Sequence, residues 1–264
     1  MKTITSRDNP TFKKIRQLAE DPREQRSTGR TLIDGPHLVE AYRTRVGLPA
    51  MIVVSESGLS VAEVARLIEA HQGLEPLLLR DTLFRELSGT ASPVGILAVI
   101  DIPADPSGKI EGNCVLLDGV QDSGNVGAIL RSAAAAGIHD VILGPGCAGA
   151  WTPRVLRAAQ GAHFNLRIRE QAALAAIING YSGRTLAAVA HGGTSLYSID
   201  LRGQTAWLFG SEGQGISAEL FPLVDAGVTI PLAGGSESLN VAAAATVCLF
   251  EAERQRRSDA TGQG

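Results

Sequence analysis

The sequence is short of the residues that build metal centres, disulfide frameworks and membrane spans. Only three of its 264 residues are cysteine. Cys114, Cys147 and Cys248 are odd in number and far apart in sequence, which excludes a Cys-x-x-Cys pair and argues against a disulfide framework. They read instead as small buried apolar residues. The five histidines show no His-x-x-x-His spacing and no neighbouring ligand cluster, so no metal is expected. No apolar run approaches the roughly 18 to 20 residues that cross a bilayer. The opening MKTITSRDNP lacks the apolar stretch of a secretory signal. A cytoplasmic protein with no membrane partner is expected.

What is present is an ordinary globular balance. Hydrophobic residues make up 44% and charged residues 19% of the chain, which excludes disorder, collagen-like repeats and a coiled coil. The formal net charge of -3 hides an asymmetry, because residues 1–30 hold eight Lys/Arg against four Asp/Glu. That basic start is either a contact for a polyanion or the solvated side of an amphipathic helix, and charge alone leaves both open.

The clearest break in composition is the segment from Asp101 to Asn113, rich in Pro and Gly between two apolar runs, which reads as a linker. It divides the chain into expected domains at 1–102 and 113–257. Asn9 followed by Pro10 is a helix-start signal, and the helix it opens carries Phe12, Ile15 and Leu18 on one side. Strand-like runs at 31–34, 51–55, 77–79 and 95–101 then alternate with helix-period segments near 36–46, 60–70 and 81–88, the pattern of a small α/β domain. The second half continues with apolar strands at 114–117, 140–143, 185–190, 206–209 and 227–230 and a last helix near 239–257. This predicts a mostly parallel sheet covered on both faces.

In such a sheet, ligands bind at the carboxyl ends of strands. Three loops there are unusual. In the first, Leu117 leads through a polar, Gly-containing turn into a helix holding Asn125 and, six residues on, Arg131. A helix N-terminus and an arginine suit an anion, while a plain Asn cap with a surface Arg is the alternative. The second places three glycines and Glu212 after the strand ending at Phe209, where bare backbone admits a flat ligand or simply makes a tight turn. The third runs from Ile230 through a Gly-rich stretch to Ser238, Leu239 and Asn240, either a ligand loop or a plain helix start capped by Ser238 or Asn240. A fourth glycine run, Gly144 to Gly149, matches G-x-G-x-x-G with Glu170 about 20 residues on. Its helix starts beyond the last glycine, at Thr152 and Pro153, so a dinucleotide site is not expected there.

In order and spacing, Asn125-Val-Gly127 with Arg131, Phe209-Gly-Ser-Glu-Gly-Gln-Gly215, and Ile230-Pro231 through Ser238-Leu-Asn240 resemble the three motifs of the SpoU (TrmH-type) family of the SPOUT superfamily, RNA ribose 2'-O-methyltransferases. The N-terminal half, through Ile4 to Pro10 and Leu32 to His37, resembles the ribosomal-protein-like substrate-binding domain of many members. The resemblance implies a C-terminal trefoil knot, a homodimer, and S-adenosylmethionine held by backbone around Leu208, Gly210, Ile230, Leu232 and Leu239. It also implies Arg131, Asn125, Glu212, Ser238 and Asn240 as catalytic residues, with Arg131 the family's usual activator of the hydroxyl. Arg7, Lys13, Lys14 and Arg16, with Arg23 and Arg26, are the cations expected to meet RNA phosphates. The implied substrate is 23S ribosomal RNA. Transfer RNA is the nearest alternative within the class, and a non-catalytic RNA-binding or ribosome-assembly factor is the alternative outside it.

Overall fold

The structure, a computed structural model, describes residues 1–106, 108–234 and 237–261. Gly235 and Ser236 of the third loop lie outside the described residues. The chain divides into two compact units, Met1–Ala104 with Trp151–Phe164, and Asp105–Ala150 with Asn165–Gly264.

The first unit contains β1 (Lys2–Ile4), α1 (Pro10–Glu20), α2 (Pro22–Thr28), β2 (Arg30–Asp34), α3 (Pro36–Arg45), β3 (Met51–Ser55), α4 (Ala62–Ala70), β4 (Leu77–Leu79), α5 (Asp81–Leu87) and β5 (Ile96–Asp101). Asn9 begins α1 as its sequence suggests. Its side-chain oxygen accepts from the amides of Thr11 at 2.9 Å and Phe12 at 3.4 Å, satisfying donors that have no partner within the helix. Asp21 repeats the device for α2, accepting from Arg23 N at 2.8 Å with Pro22 in the first turn. The face of α1 carrying Phe12, Ile15 and Leu18 is buried against Ile4, Leu32, Val53, Leu79 and Phe84. Burial of Phe12 alone removes a side chain whose transfer from water contributes about 2 kcal/mol. The sheet runs β1-β4-β3-β5-β2, parallel from β1 to β3 and antiparallel where β5 meets β3 and β2.

The chain continues through β6 (Cys114–Asp118), α6 (Ser123–Ala135) and β7 (Asp140–Leu143). It then enters α7 (Pro153–Ala159), which packs with the first unit. Thr31 Oγ1 donates to the Trp151 carbonyl at 2.7 Å, and the rings of Tyr42 and Phe164 meet edge to face at 5.4 Å. The expected domains at 1–102 and 113–257 are each one continuous stretch, whereas the first unit also takes Trp151–Phe164.

The second unit is completed by β8 (Arg167–Arg169), α8 (Leu174–Gly180), β9 (Arg184–Ala188), β10 (Thr194–Ser195), β11 (Thr205–Gly210), β12 (Ala226–Thr229) and α9 (Val241–Thr261). Its seven strands run β10-β12-β9-β11-β6-β7-β8, and every pairing is parallel. All six residues of β11 are buried, as a parallel strand covered on both faces requires. Leu208 pairs in register with Leu116 on one side and Ala187 on the other. Since the strands are parallel, the loops leaving β6, β11 and β12 emerge at one edge of the sheet. Gly210 lies in register with Asp118, the last residue of β6.

The last helix starts at Val241, two residues later than the periodicity suggests, because Asn240 caps it. The alanine-rich stretches of α6 and α9 pack against each other, with Ser132 Oγ and Thr246 Oγ1 2.7 Å apart. Cys114 and Cys248 are buried as expected, but Cys147 is half-buried and its thiol donates to the Leu117 carbonyl at 3.3 Å.

Candidate functional site

The first loop is built on an Asp cap rather than an Asn cap. Asp122 Oδ1 accepts from Asn125 N at 2.8 Å and so closes the N-terminus of α6. That leaves the side chain of Asn125 free for other partners. Its Nδ2 donates to Glu212 Oε1 at 2.6 Å, and its Oδ1 accepts from Asn240 Nδ2 at 2.9 Å. The Oδ1 of Asn240 in turn accepts from Ala242 N at 2.9 Å and Ala243 N at 3.2 Å. Asn240 is therefore both the cap of α9 and a member of the site. One hydrogen-bonded chain, Glu212 to Asn125 to Asn240, joins the loops after β11, β6 and β12.

The loop after β11 is a tight hairpin. Ser211 N donates to Gly215 O at 3.0 Å, and Gly215 N returns to Ser211 O at 2.9 Å. A Cβ at Gly210 would collide with the backbone of Gly215 and Ile216, so glycine is required by that close approach. Gly215 itself has φ +67°, the left-handed region. Asp118 pins the far side of the hairpin, its Oδ2 accepting from Ser217 N at 2.7 Å.

Two cavities share this hairpin as a wall. One, of about 330 Å³, lies on the side of Asp118, Gly119 and Gln121. The other, of about 560 Å³, is lined by Ala188–Ala190 at the end of β9, by Phe209 and Gly210, and by Ile230, Leu232 and Ser238–Asn240. Glu212 lines both. The larger cavity leaves Leu232 38% and Leu239 39% exposed, two apolar side chains that a flat ligand would cover.

Of the residues singled out from the sequence, Asn125, Glu212 and Asn240 meet directly. Gly210, Ile230, Leu232, Ser238 and Leu239 line the larger cavity. Leu208 does not. Its side chain is packed in the core with Cys114 and Leu116, and the cavity wall begins one residue later at Phe209. Arg131 is exposed on α6 and lines neither cavity. Arg7 pairs with Glu86 at 2.6 Å and Lys13 with Asp8 at 2.9 Å, while Lys14 is exposed and Arg16 half-buried on α1. Ala188–Ala190 were not anticipated, although the end of a fourth parallel strand is where the same strand-end rule points.

The glycine run after β7 is structural. Glu170 accepts from Ala150 N at 2.6 Å, Ala148 N donates to Val120 O at 2.9 Å, and α7 starts only after Thr152. Burial pushes the Cys114 and Cys248 thiols up to about 12, which keeps both protonated and non-nucleophilic near neutral pH. Among the described residues, no three of His, Cys, Asp and Glu gather to hold an ion. No helix among them is long and apolar enough to cross a membrane.

Residues 112–250 match the model of the SpoU rRNA Methylase family, and residues 9–98 match that of the MRM3-like substrate binding domain. The 23S rRNA (guanosine(2553)-2'-O)-methyltransferase RlmP of Bacillus subtilis is 31% identical over 252 residues, covering 95% of this chain and 98% of that one. The 23S rRNA (uridine(2479)-2'-O)-methyltransferase of Streptomyces viridochromogenes is 29% identical, covering 98% and 94%. Among solved structures, an RNA 2'-O ribose methyltransferase superposes with a TM-score of 0.83 at 28% identity, covering 97% of this chain and 99% of that one. The SpoU methyltransferase AviRb from Streptomyces viridochromogenes in complex with AdoMet does so with a TM-score of 0.81 at 26% identity, covering 95% and 100%.

Proposed function

The chain belongs to the SpoU rRNA methylase family, and from that premise we propose that it transfers the methyl group of S-adenosylmethionine to a ribose 2'-hydroxyl of RNA, with 23S ribosomal RNA as its substrate. The observation that carries this reading is the side chain of Asn125 bonded to both Glu212 and Asn240. Through it, the loop after β6 is tied to the loops after β11 and β12, which wall the larger cavity.

The residues of the larger cavity fit the cofactor. Bare backbone at Gly210 lets a flat adenine approach, and Leu232 and Leu239 give it apolar surface to cover. When bound, S-adenosylmethionine supplies a methyl group already made electrophilic by the sulfonium. The protein therefore has mainly to position and activate the ribose hydroxyl. Glu212, Asn125 and Asn240 hold the three loops in a single arrangement, and Ser238 lines the same wall. Arg131 is assigned a substrate phosphate and the negative charge that develops on the 2'-oxygen. Arg131 acts there as a hydrogen-bond donor and a positive charge, not as the base.

Arg7, Lys13, Lys14 and Arg16 are assigned to RNA phosphates, with Arg7 and Lys13 exchanging their carboxylate partners for phosphate on binding. The trefoil threading and the homodimer are adopted from the family likeness. The alanine-rich stretches of α6 and α9 pack against each other, so the dimer rests on that likeness alone. The site of action is the cytoplasm, where ribosomal RNA is made in bacteria.

The test is transfer of labelled methyl from S-adenosylmethionine to separated ribosomal and transfer RNA fractions from cells lacking the protein, beside an Arg131→Ala control. Label in 23S RNA that disappears in the control is the expected result. Label confined to transfer RNA would reassign the substrate, and cofactor binding too weak to measure would overturn the enzyme.

A further inference from the structure

The first unit carries a groove of which the reading above uses only the cation Lys14 on its rim. It is a cavity of about 650 Å³ bounded by α1, the end of α2, and strands β2, β3 and β5. Its floor is apolar, made by Ile15, Leu18, Met51 and Val99. Its rim is charged in both senses. Lys14 and Arg30 stand against Glu24 and Asp101, and Arg30 Nε donates to Asp101 Oδ1 at 2.8 Å across the paired strands. Unlike Arg7 and Lys13, Lys14 forms no ion pair among the described residues.

This combination selects among ligands. A bare phosphate or polyanion is a poor match, because the two cations are balanced by two carboxylates. An apolar peptide side chain would leave those rim charges unused. A single nucleotide uses every part of the groove. Its flat base covers the apolar floor, its exocyclic amino group and ribose 2'-hydroxyl donate to the carboxylates, and its phosphate meets Lys14. We propose that this groove binds one unstacked nucleotide of single-stranded RNA. The proposal rests on the reading of RNA as the substrate, and it gives the segment matching a substrate binding domain a defined point of contact.

The test uses the full chain and a fluorescent single-stranded RNA of about twelve mixed nucleotides, titrated at several salt concentrations. Lys14→Ala and Lys14→Glu change an exposed position and leave the core untouched. Thr28→Trp, at the exposed end of α2, fills the groove while keeping the cation. Each variant is expected to weaken binding at least about fivefold, the Lys14 variants by losing a phosphate contact and Thr28→Trp by filling the seat of the base. Lys14→Ala should also lower the salt slope by about one phosphate, whereas Thr28→Trp should not. Cofactor affinity and thermal midpoint should stay as in the parent. A parent that binds RNA beside variants that bind within twofold of it would overturn the groove and leave the enzyme standing. A parent that neither binds RNA nor transfers methyl would remove the functional reading and this proposal with it.

Discussion

Asn125 and Glu212, 87 residues apart in sequence, meet at 2.6 Å, amide nitrogen to carboxylate oxygen. The bond spans two loops that leave neighbouring parallel strands, and the other end of the same amide holds Asn240. An amide is the side chain that can do this, because it donates at one end and accepts at the other.

Asn125→Asp keeps the shape and removes the donor, placing two carboxylates against each other. Methyl transfer should fall about 100-fold or more, since small displacements of positioned groups cost that much. Thermal stability should change little, because Asp122 and not Asn125 caps α6. Parallel measurement of turnover and unfolding midpoint checks this, and a variant with near-parental turnover would remove Asn125 from the site.

Gly210→Ala addresses the hairpin. The added methyl meets the backbone of Gly215 and Ile216, which cannot rotate away as a side chain would. The expected cost is about 1 to 3 kcal/mol of stability, as for other overpacked sites. S-adenosylmethionine affinity should fall with it, because the same hairpin walls the larger cavity. Calorimetric titration and urea unfolding report the two effects separately.

Much of this arrangement was legible in the sequence, and the exceptions have physical reasons. The runs at 114–117 and 140–143 read as strands because both of their faces are buried. Arg167–Arg169 hides as a strand because it is a short edge with arginines on either side of Ile168. Asp21-Pro22 carried the same start signal as Asn9-Pro10, yet α2 was not anticipated. The three motif loops were recognisable, but the bond pattern among them was not, since Asp122 and Asn125 are both ordinary capping residues. Periodicity shows that 153–159 is helical without showing which sheet it covers, so its place in the first unit came only from the structure.

Acid should loosen the seam between β9 and β12. Asp225 Oδ2 accepts from Thr185 N at 2.7 Å and from Thr185 Oγ1 at 2.8 Å, and these bonds hold its carboxyl below the ordinary 3.8. A depressed carboxyl contributes stability that is fully present above its unfolded value and lost as pH falls through the folded one. The difference in unfolding free energy between the parent and Asp225→Ala should be constant above about pH 5 and shrink below 3.8. A difference that persists unchanged to pH 2.5 in a urea series would assign the effect to packing instead.

Thr31→Val tests whether Trp151–Phe164 belongs energetically to the first unit. The fully buried hydroxyl of Thr31 donates to the Trp151 carbonyl at 2.7 Å. Valine fills the same volume and leaves that carbonyl without its donor, at a cost of about 1 to 3 kcal/mol. Because the bond anchors the start of the segment, the loss should be local as well as global. Hydrogen exchange should speed up for the amides of α7, where the Tyr42 ring contact with Phe164 also holds the segment down. Amides of β6 and β11, in the middle of the parallel sheet, should keep their parental protection. If α7 exchanged together with β6 and β11 and independently of β2, the segment would be part of the second unit's cooperative structure, and the division after Ala150 would be wrong.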